Sequence, residues 1–263
     1  MAACLRHAQS LSDPPDVIFN GGDMIMDALH ADAGRTRLLW DLWRKILKDE
    51  CSLPVVHCIG NHDVWGWDKS KSGATGREPL YGKNWVMDVL GLDRRYWSFD
   101  QAGWHFIVLD STHTHDSQTY TAKLDDEQWE WLRTDLAGTP PGTPICVMSH
   151  IPVLSACAYF DGDNEKGGDW CVPNAWMHID ARRIKDLFTE HPNVRLCLSG
   201  HIHLLDRVDY NGVTYLCNGA VSGNWWKGVY DRTPPGYAVV DLYDDGSFTH
   251  MYLTFGWRDE RSA

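Results

Sequence analysis

Short continuous runs of Val, Ile, Leu and Cys occupy residues 17–20, 55–59, 106–110, 145–149, 194–199, 213–218 and 237–242. Runs of this length without alternation predict strands covered on both faces. Between them the apolar residues shift to helical spacing. Leu38, Leu39, Leu42, Trp43, Ile46 and Leu47 make one stripe of a helix. Asp125 with Gln128 forms a capping box ahead of Trp129, Leu132 and Leu136, and Gly138 stops that helix. Ile184, Leu187 and Phe188 predict a third helix over 180–190, closed by Pro192. In the last third, Asn211-Gly212 and Asp245-Gly246 are two-residue hairpin signals. Strands alternating with helices, then hairpins, predict a layered α/β fold with one or two mixed sheets. No repeat or linker divides the sequence, so it reads as a single domain over 1–263.

Composition adds exclusions. Hydrophobic residues make up 43% and charged residues 23%, which supplies a core and rules out a disordered or fibrous chain. No apolar run reaches the roughly 18 residues of a membrane helix. Residues 1–10 lack an export signal, so the chain reads as cytoplasmic, with export left open should its true start lie upstream of Met1. A net charge of −12 disfavours binding to a nucleic-acid duplex or an anionic membrane. The eight cysteines form no C-x-x-C pair. Cys58, Cys146, Cys197 and Cys217 fall inside strand-like runs and read as buried thiols, while Cys157 and Cys171 share a loop in which an oxidising compartment would allow them to pair.

The chemistry gathers at strand ends. Gly22-Asp23, Gly60-Asn61-His62-Asp63, Ser149-His150 and Gly200-His201-Ile202-His203 each follow a strand-like run. Open α/β sheets bind ligands in the crevice beyond the carboxyl ends of their strands, where these four clusters can converge. Carboxylate, amide and imidazole without thiolate select Mn, Fe, Zn or Co over a structural Cys-type zinc site. Singly, Gly-Asp is an ordinary turn and Ser-His carries no signal; the ordered set of four is what points to a site. His57 and His105 lie within strands and read as packed; His7, His30, His191 and His250 read as surface residues. His113, His115 and His178 are candidates for the rim. Two long irregular segments, 64–84 and 151–178, follow the second and third clusters and carry Trp65, Trp67, Tyr81, Tyr159, Trp170 and Trp176. With Trp225 and Trp226 these either stack on a substrate or pack their own loops. Lys69, Lys71, Arg77, Lys83 and Lys227 are the cations within reach of such a pocket.

In this order the motifs resemble the calcineurin-like metallophosphoesterases, the superfamily of purple acid phosphatases, cyclic-nucleotide phosphodiesterases, nucleases and protein phosphatases. The resemblance runs from Asp16 to about Leu253. It implies a four-layer αββα sandwich, two mixed sheets flanked by helices. Carried over by position, Asp23 would bridge two metal ions; Asn61, His150 and His201 would complete one metal site, and His203 would belong to the other. His62 would be the catalytic residue facing a small phosphoester substrate, with Asp63 or a carboxylate nearby holding its ring. The implied reaction is hydrolysis of mono- or diesters by a metal-activated hydroxide. The pattern departs from the family in two places. The Asp-x-His strand expected upstream is lacking: only 22 residues precede Asp23, those at 2–10 resemble the helix after that strand, and the true start lies upstream or the protein is a natural truncation. The orienting position three residues after the bridging Asp is Met26, with Asp27 next. One tight metal site and one weak one are therefore expected, and the competing reading is a catalytically weakened binding protein. The sequence leaves the oligomeric state open.

Overall fold

The computed structural model describes residues 1–115 and 120–257; the last residues of the expected domain, 258–263, lie outside them. In chain order the elements are α1 (Ala2–Gln9), β1 (Ile18–Asn20), α2 (Ala33–Glu50), β2 (Val55–His57), a 3-10 turn at Asn61–Asp63, α3 (Lys69–Ser72) and α4 (Asn84–Leu90). There follow β3 (Trp97–Gln101), β4 (Trp104–Leu109), β5 (Thr112–Thr114), β6 (Tyr120–Ala122), α5 (Asp126–Gly138), β7 (Ile145–Ser149) and α6 (Cys157–Phe160). The chain continues through β8 (Glu165–Lys166), β9 (Asp169–Trp170), α7 (Ala181–Glu190) and β10 (Val194–Ser199). It closes with β11 (Leu205–Tyr210), β12 (Val213–Asn218), β13 (Gly236–Leu242) and β14 (Phe248–Thr254).

One mixed six-stranded sheet, in the order β11-β12-β10-β7-β4-β3, organises the molecule. Its four inner strands are parallel, and β11 and β3 pair antiparallel at the two edges. Leu109 sits opposite Ser149 and Ser199 opposite Cys217, so the segments leaving β4, β7, β10 and β12 emerge along a single rim. Burial of β4 and β7 on both faces explains their unbroken apolar runs.

On one face of the sheet, Ile107, Val147, Cys197 and Tyr215 pack against Leu132 and Leu136 of α5 and Ile184 and Phe188 of α7. Each such fully buried aliphatic side chain contributes roughly 1.5–3 kcal/mol. On the other face, Phe106, Cys146, Leu196 and Leu216 meet Phe19 of β1, Val240 and Leu242 of β13 and Phe248 of β14. The expected second mixed sheet takes the form of two separate pairs, parallel β1-β2 and antiparallel β13-β14. Among the described residues no strand hydrogen-bonds between β1 and β13. Both hairpin signals turn where expected, between β11 and β12 and between β13 and β14.

Helix α2 corrects the predicted stripe. Leu38 and Leu42 are 65% and 55% exposed, while Leu39, Trp43 and Leu47 of that stripe pack inward, joined by Thr36 and Trp40. The two tryptophans pack edge to face, and with Ile59, Trp65 and Trp85 they form a cluster that leaves Leu38 and Leu42 outside. The two long segments are only partly irregular, since α3 interrupts the first and α6 with the β8-β9 hairpin the second.

Candidate metal centre and active site

The turn that carries Asp23 is built around a buried acid. Asp63 accepts backbone N–H groups from Asp23 (2.9 Å), Met24 (2.7 Å), Ile25 (3.4 Å) and Gly60 (2.9 Å), tying the segment after β1 to the segment after β2. Two glycines make that approach possible. Gly22 has φ +100°, and a Cβ there would stand 2.6 Å from His150 Nδ1; a Cβ on Gly60 would collide with the backbone nitrogen and carboxylate of Asp23. Burial and the charge of Asp23 push the Asp63 carboxyl up to about 7, against the amides that favour its ionised form.

Asp23, Asn61, His150 and His201 meet at the rim. His150 Nδ1 donates to Gly21 O at 2.7 Å, which leaves Nε2 as the lone-pair end of the neutral ring. That Nε2 faces Asn61 Oδ1 at 3.0 Å, His201 Nδ1 at 3.1 Å and Asp23 Oδ2 at 3.3 Å. Ligand atoms of Asp23, His150 and His201 all lie within 4.8 Å of one another. Burial and the nearby His150 hold His201 down at about 3, so its ring is neutral and able to ligate. Burial opposes a charge on His150, yet Asp23 outweighs it and raises its pKa. A pocket of facing lone pairs around a carboxylate calls for a positive charge, and this donor set fits a borderline cation. His203 Nδ1 donates to Gly223 O at 2.7 Å, freeing Nε2, and its ring feels the charges of Asp23 and His150 but lies outside the three-residue cluster.

Three of these residues stand on left-handed backbone: Asp23 at φ 54°, His201 at 69° and His203 at 65°. Such a conformation in a residue other than glycine costs roughly 1–2 kcal/mol and marks positions where geometry serves a site.

His62 lies beside the cluster, its backbone N–H donating to Asp23 Oδ1 at 2.8 Å. Its ring partner is Asp27, with Nδ1 3.6 Å from Oδ1, and not Asp63, whose oxygens are engaged with backbone amides. Burial disfavours a charge on His62, but Asp27 and the charges of Asp23 and Asp63 outweigh it and raise the imidazole to about 9. Burial likewise opposes ionisation of Asp27, while contact with His62 and His30 brings its carboxyl down to about 2. Met26, at the expected orienting position, is exposed.

Other candidates fall away from the cluster. His178 is buried, between Ser149 Oγ (3.2 Å) and Asp180 Oδ1 (3.0 Å), and so presents no open face to a substrate. His57 and His105 are packed as expected, the latter between Asp100 and Asp135. Lys83 is buried against Asp110 at 2.5 Å and cannot grip a substrate phosphate. Cys157 is buried, Cys171 is exposed and both are free thiols. Trp65 and Trp67 pack their loop, whereas Trp225 is exposed and lies against the His203 ring, centroids 4.6 Å apart. No helix among the described residues is long and apolar enough to cross a membrane.

Comparison with known proteins agrees with this architecture. Residues 2–205 match the family model for calcineurin-like phosphoesterases. A 3',5'-cyclic-nucleotide phosphodiesterase of Nostoc sp. is 26% identical over 164 residues, covering 61% of this chain and 56% of that protein. Purple acid phosphatase 22 of Arabidopsis thaliana is 24% identical over 212 residues, 78% of this chain and 42% of its own length. The chain thus spans about half the length of these relatives. In fold it is similar to a dimetal phosphatase from Danio rerio, with a TM-score of 0.60 at 16% identity over 97% of this chain and 89% of the other. Matched over most of its length, the chain belongs to the calcineurin-like phosphoesterase family.

Proposed function

We propose that this chain is a metal-dependent hydrolase of phosphoric esters, mono- or diesters, acting on small phosphoester substrates as one domain with a four-layer architecture. The observation that carries the reading is the convergence of Asp23, Asn61, His150 and His201 around His150 Nε2, with His62 alongside. These four would hold one Mn, Fe, Zn or Co ion, and Asp23 with His203 would hold a second more weakly. A cation there supplies Lewis acidity, lowering the pKa of a coordinated water and offsetting charge on the phosphoryl oxygens.

The chain's own residues do the rest. His62, steadied by Asp27, gives its proton to the leaving oxygen as the P–O bond breaks, while the oxygen of a water that has released a proton to solvent joins phosphorus. The neutral rings of His201 and His203 keep their lone pairs for ligation. Asp63 and the two glycines hold the Asp23 turn in place. The names of the relatives, a cyclic-nucleotide phosphodiesterase and a purple acid phosphatase, support the phosphoester class.

A second reading, a weakened binding protein, is favoured by the short ligand set of the second position, where among the described residues Asp23 and His203 are too few for tight binding. Hydrolysis of p-nitrophenyl phosphate and its bis-ester, with and without added Mn, separates the two. Metal-dependent turnover is expected; no turnover at any metal concentration refutes the hydrolase. Metal content after purification is expected near one ion per chain, and two tightly held ions would refute the unequal sites.

A further inference from the structure

The segment after Asp23 and the segment after β2 are strapped together beyond the cluster. Ala28 N donates to His62 O at 2.7 Å, Gly66 N to Ala28 O at 3.2 Å, and Asp68 N to Leu29 O at 3.3 Å. Trp65 Nε1 adds a bond to Ala31 O at 3.1 Å. This strap fixes the backbone of Asp27 relative to His62, but it does not fix the Asp27 carboxylate, which is a third exposed. His30 does. Its backbone N–H donates to Asp27 Oδ1 at 3.1 Å, and its Nδ1 stands 3.1 Å from both carboxylate oxygens. At its far side His30 Nε2 lies 3.7 Å from Asp68 Oδ2. Asp68 is buried and in turn held by Ser70 Oγ at 2.6 Å and Lys71 N at 3.2 Å.

We propose that His30 is a positioning residue for hydrolysis: clamped between Asp68 and Asp27, it sets the rotamer of Asp27 and through it the ring of His62. The inference rests on His62 being the general acid. Without the His30 ring, Asp27 keeps the His30 backbone N–H on Oδ1 and the 3.6 Å approach to His62, but its carboxylate loses the ring nitrogen that faces both oxygens and can pivot toward water. The proton that must reach the leaving oxygen then comes from a ring that is less often aimed.

Leaving-group dependence separates this role from a merely structural one. A departing p-nitrophenolate needs little protonation, whereas a phenolate or alkoxide needs much. Wild type, H30A, H30Q and H62A are loaded with Mn and compared on bis(p-nitrophenyl) phosphate and on diphenyl phosphate. We expect H30A to lower kcat for the phenyl ester about tenfold, with KM and metal content unchanged, and to leave the nitrophenyl ester within about twofold. H30Q, which retains a donor toward Asp27, is expected to recover part of the loss. H62A should show the same selectivity, more strongly.

Equal loss on both esters, or none, in an H30A protein of normal melting temperature overturns the role of His30 while the hydrolase stands. An H62A enzyme without leaving-group selectivity overturns both the acid and its clamp. Absence of wild-type turnover overturns the hydrolase reading and the inference with it.

Discussion

Replacing Asp63 by Asn tests whether the candidate site is assembled by one buried carboxylate. The side chain is fully buried, and its two oxygens accept four backbone N–H groups, those of Asp23, Met24, Ile25 and Gly60. An Asn at this place keeps the shape but turns one oxygen into an NH2, which confronts two amide donors with another donor. In this it resembles the protonated acid and differs from the ionised one. Burial and Asp23 raise this carboxyl from 3.8 to about 7, so between those values the folded wild type holds a proton that the unfolded chain has released. The gap corresponds to about 4 kcal/mol, a large share of the roughly 5–15 kcal/mol of a typical domain. The assay is equilibrium unfolding in urea with chelator present, so that a bound cation adds nothing. The stability of wild type relative to Asp63→Asn should fall by about 4 kcal/mol as pH rises from 4 to 8, with the denaturant slope unchanged. A difference that does not vary with pH would refute the picture of an acid held in the Asp23 turn against its own burial.

Gly60→Ala is predicted to leave a folded protein whose affinity for Mn falls at least about tenfold, because the new methyl displaces the Asp23 carboxylate; unchanged affinity by calorimetry would refute it. His57 supplies a pH test away from the site. Burial holds its pKa down at about 4 against an ordinary 6.5, so between those values the unfolded chain binds a proton that the folded one declines, and stability rises with pH across this window. The full gap corresponds to about 3 kcal/mol, and His57→Gln should flatten the acid side of the stability curve by about that amount; parallel curves for the two proteins would refute the assignment.

What the sequence reveals here depends on how local the cause is. Strands β7 and β12 are buried on both faces, and their apolar runs mark their ends to the residue, as does the run of β10, in which only Arg195 is exposed. Asp23, Asn61, His150 and His201 follow strands of known direction, so their meeting at one rim is legible from order alone. Trp40 and the exposed Leu38 and Leu42 were not legible, because which side of α2 faces inward depends on the partners Trp65 and Trp85 far along the chain. The true partner of His62 depends on a turn that brings Asp27 under its ring, and adjacency in sequence points wrongly to Asp63. The clamp by His30 likewise has no signature beyond an Asp and a His three residues apart. Left-handed backbone at Asp23, His201 and His203 leaves no trace in residue type, since neither Asp nor His is confined to it.

That backbone has a consequence for anyone who tries to harden this protein. Selection for heat resistance rewards relaxation of disfavoured torsions, and three of them lie under the side chains proposed to grasp the ion. A screen scored on survival alone will therefore drift toward glycine or asparagine at Asp23, His201 and His203, returning sturdier molecules that have lost their hold on the cation. Scoring for turnover in parallel is what keeps such variants from being taken for improvements.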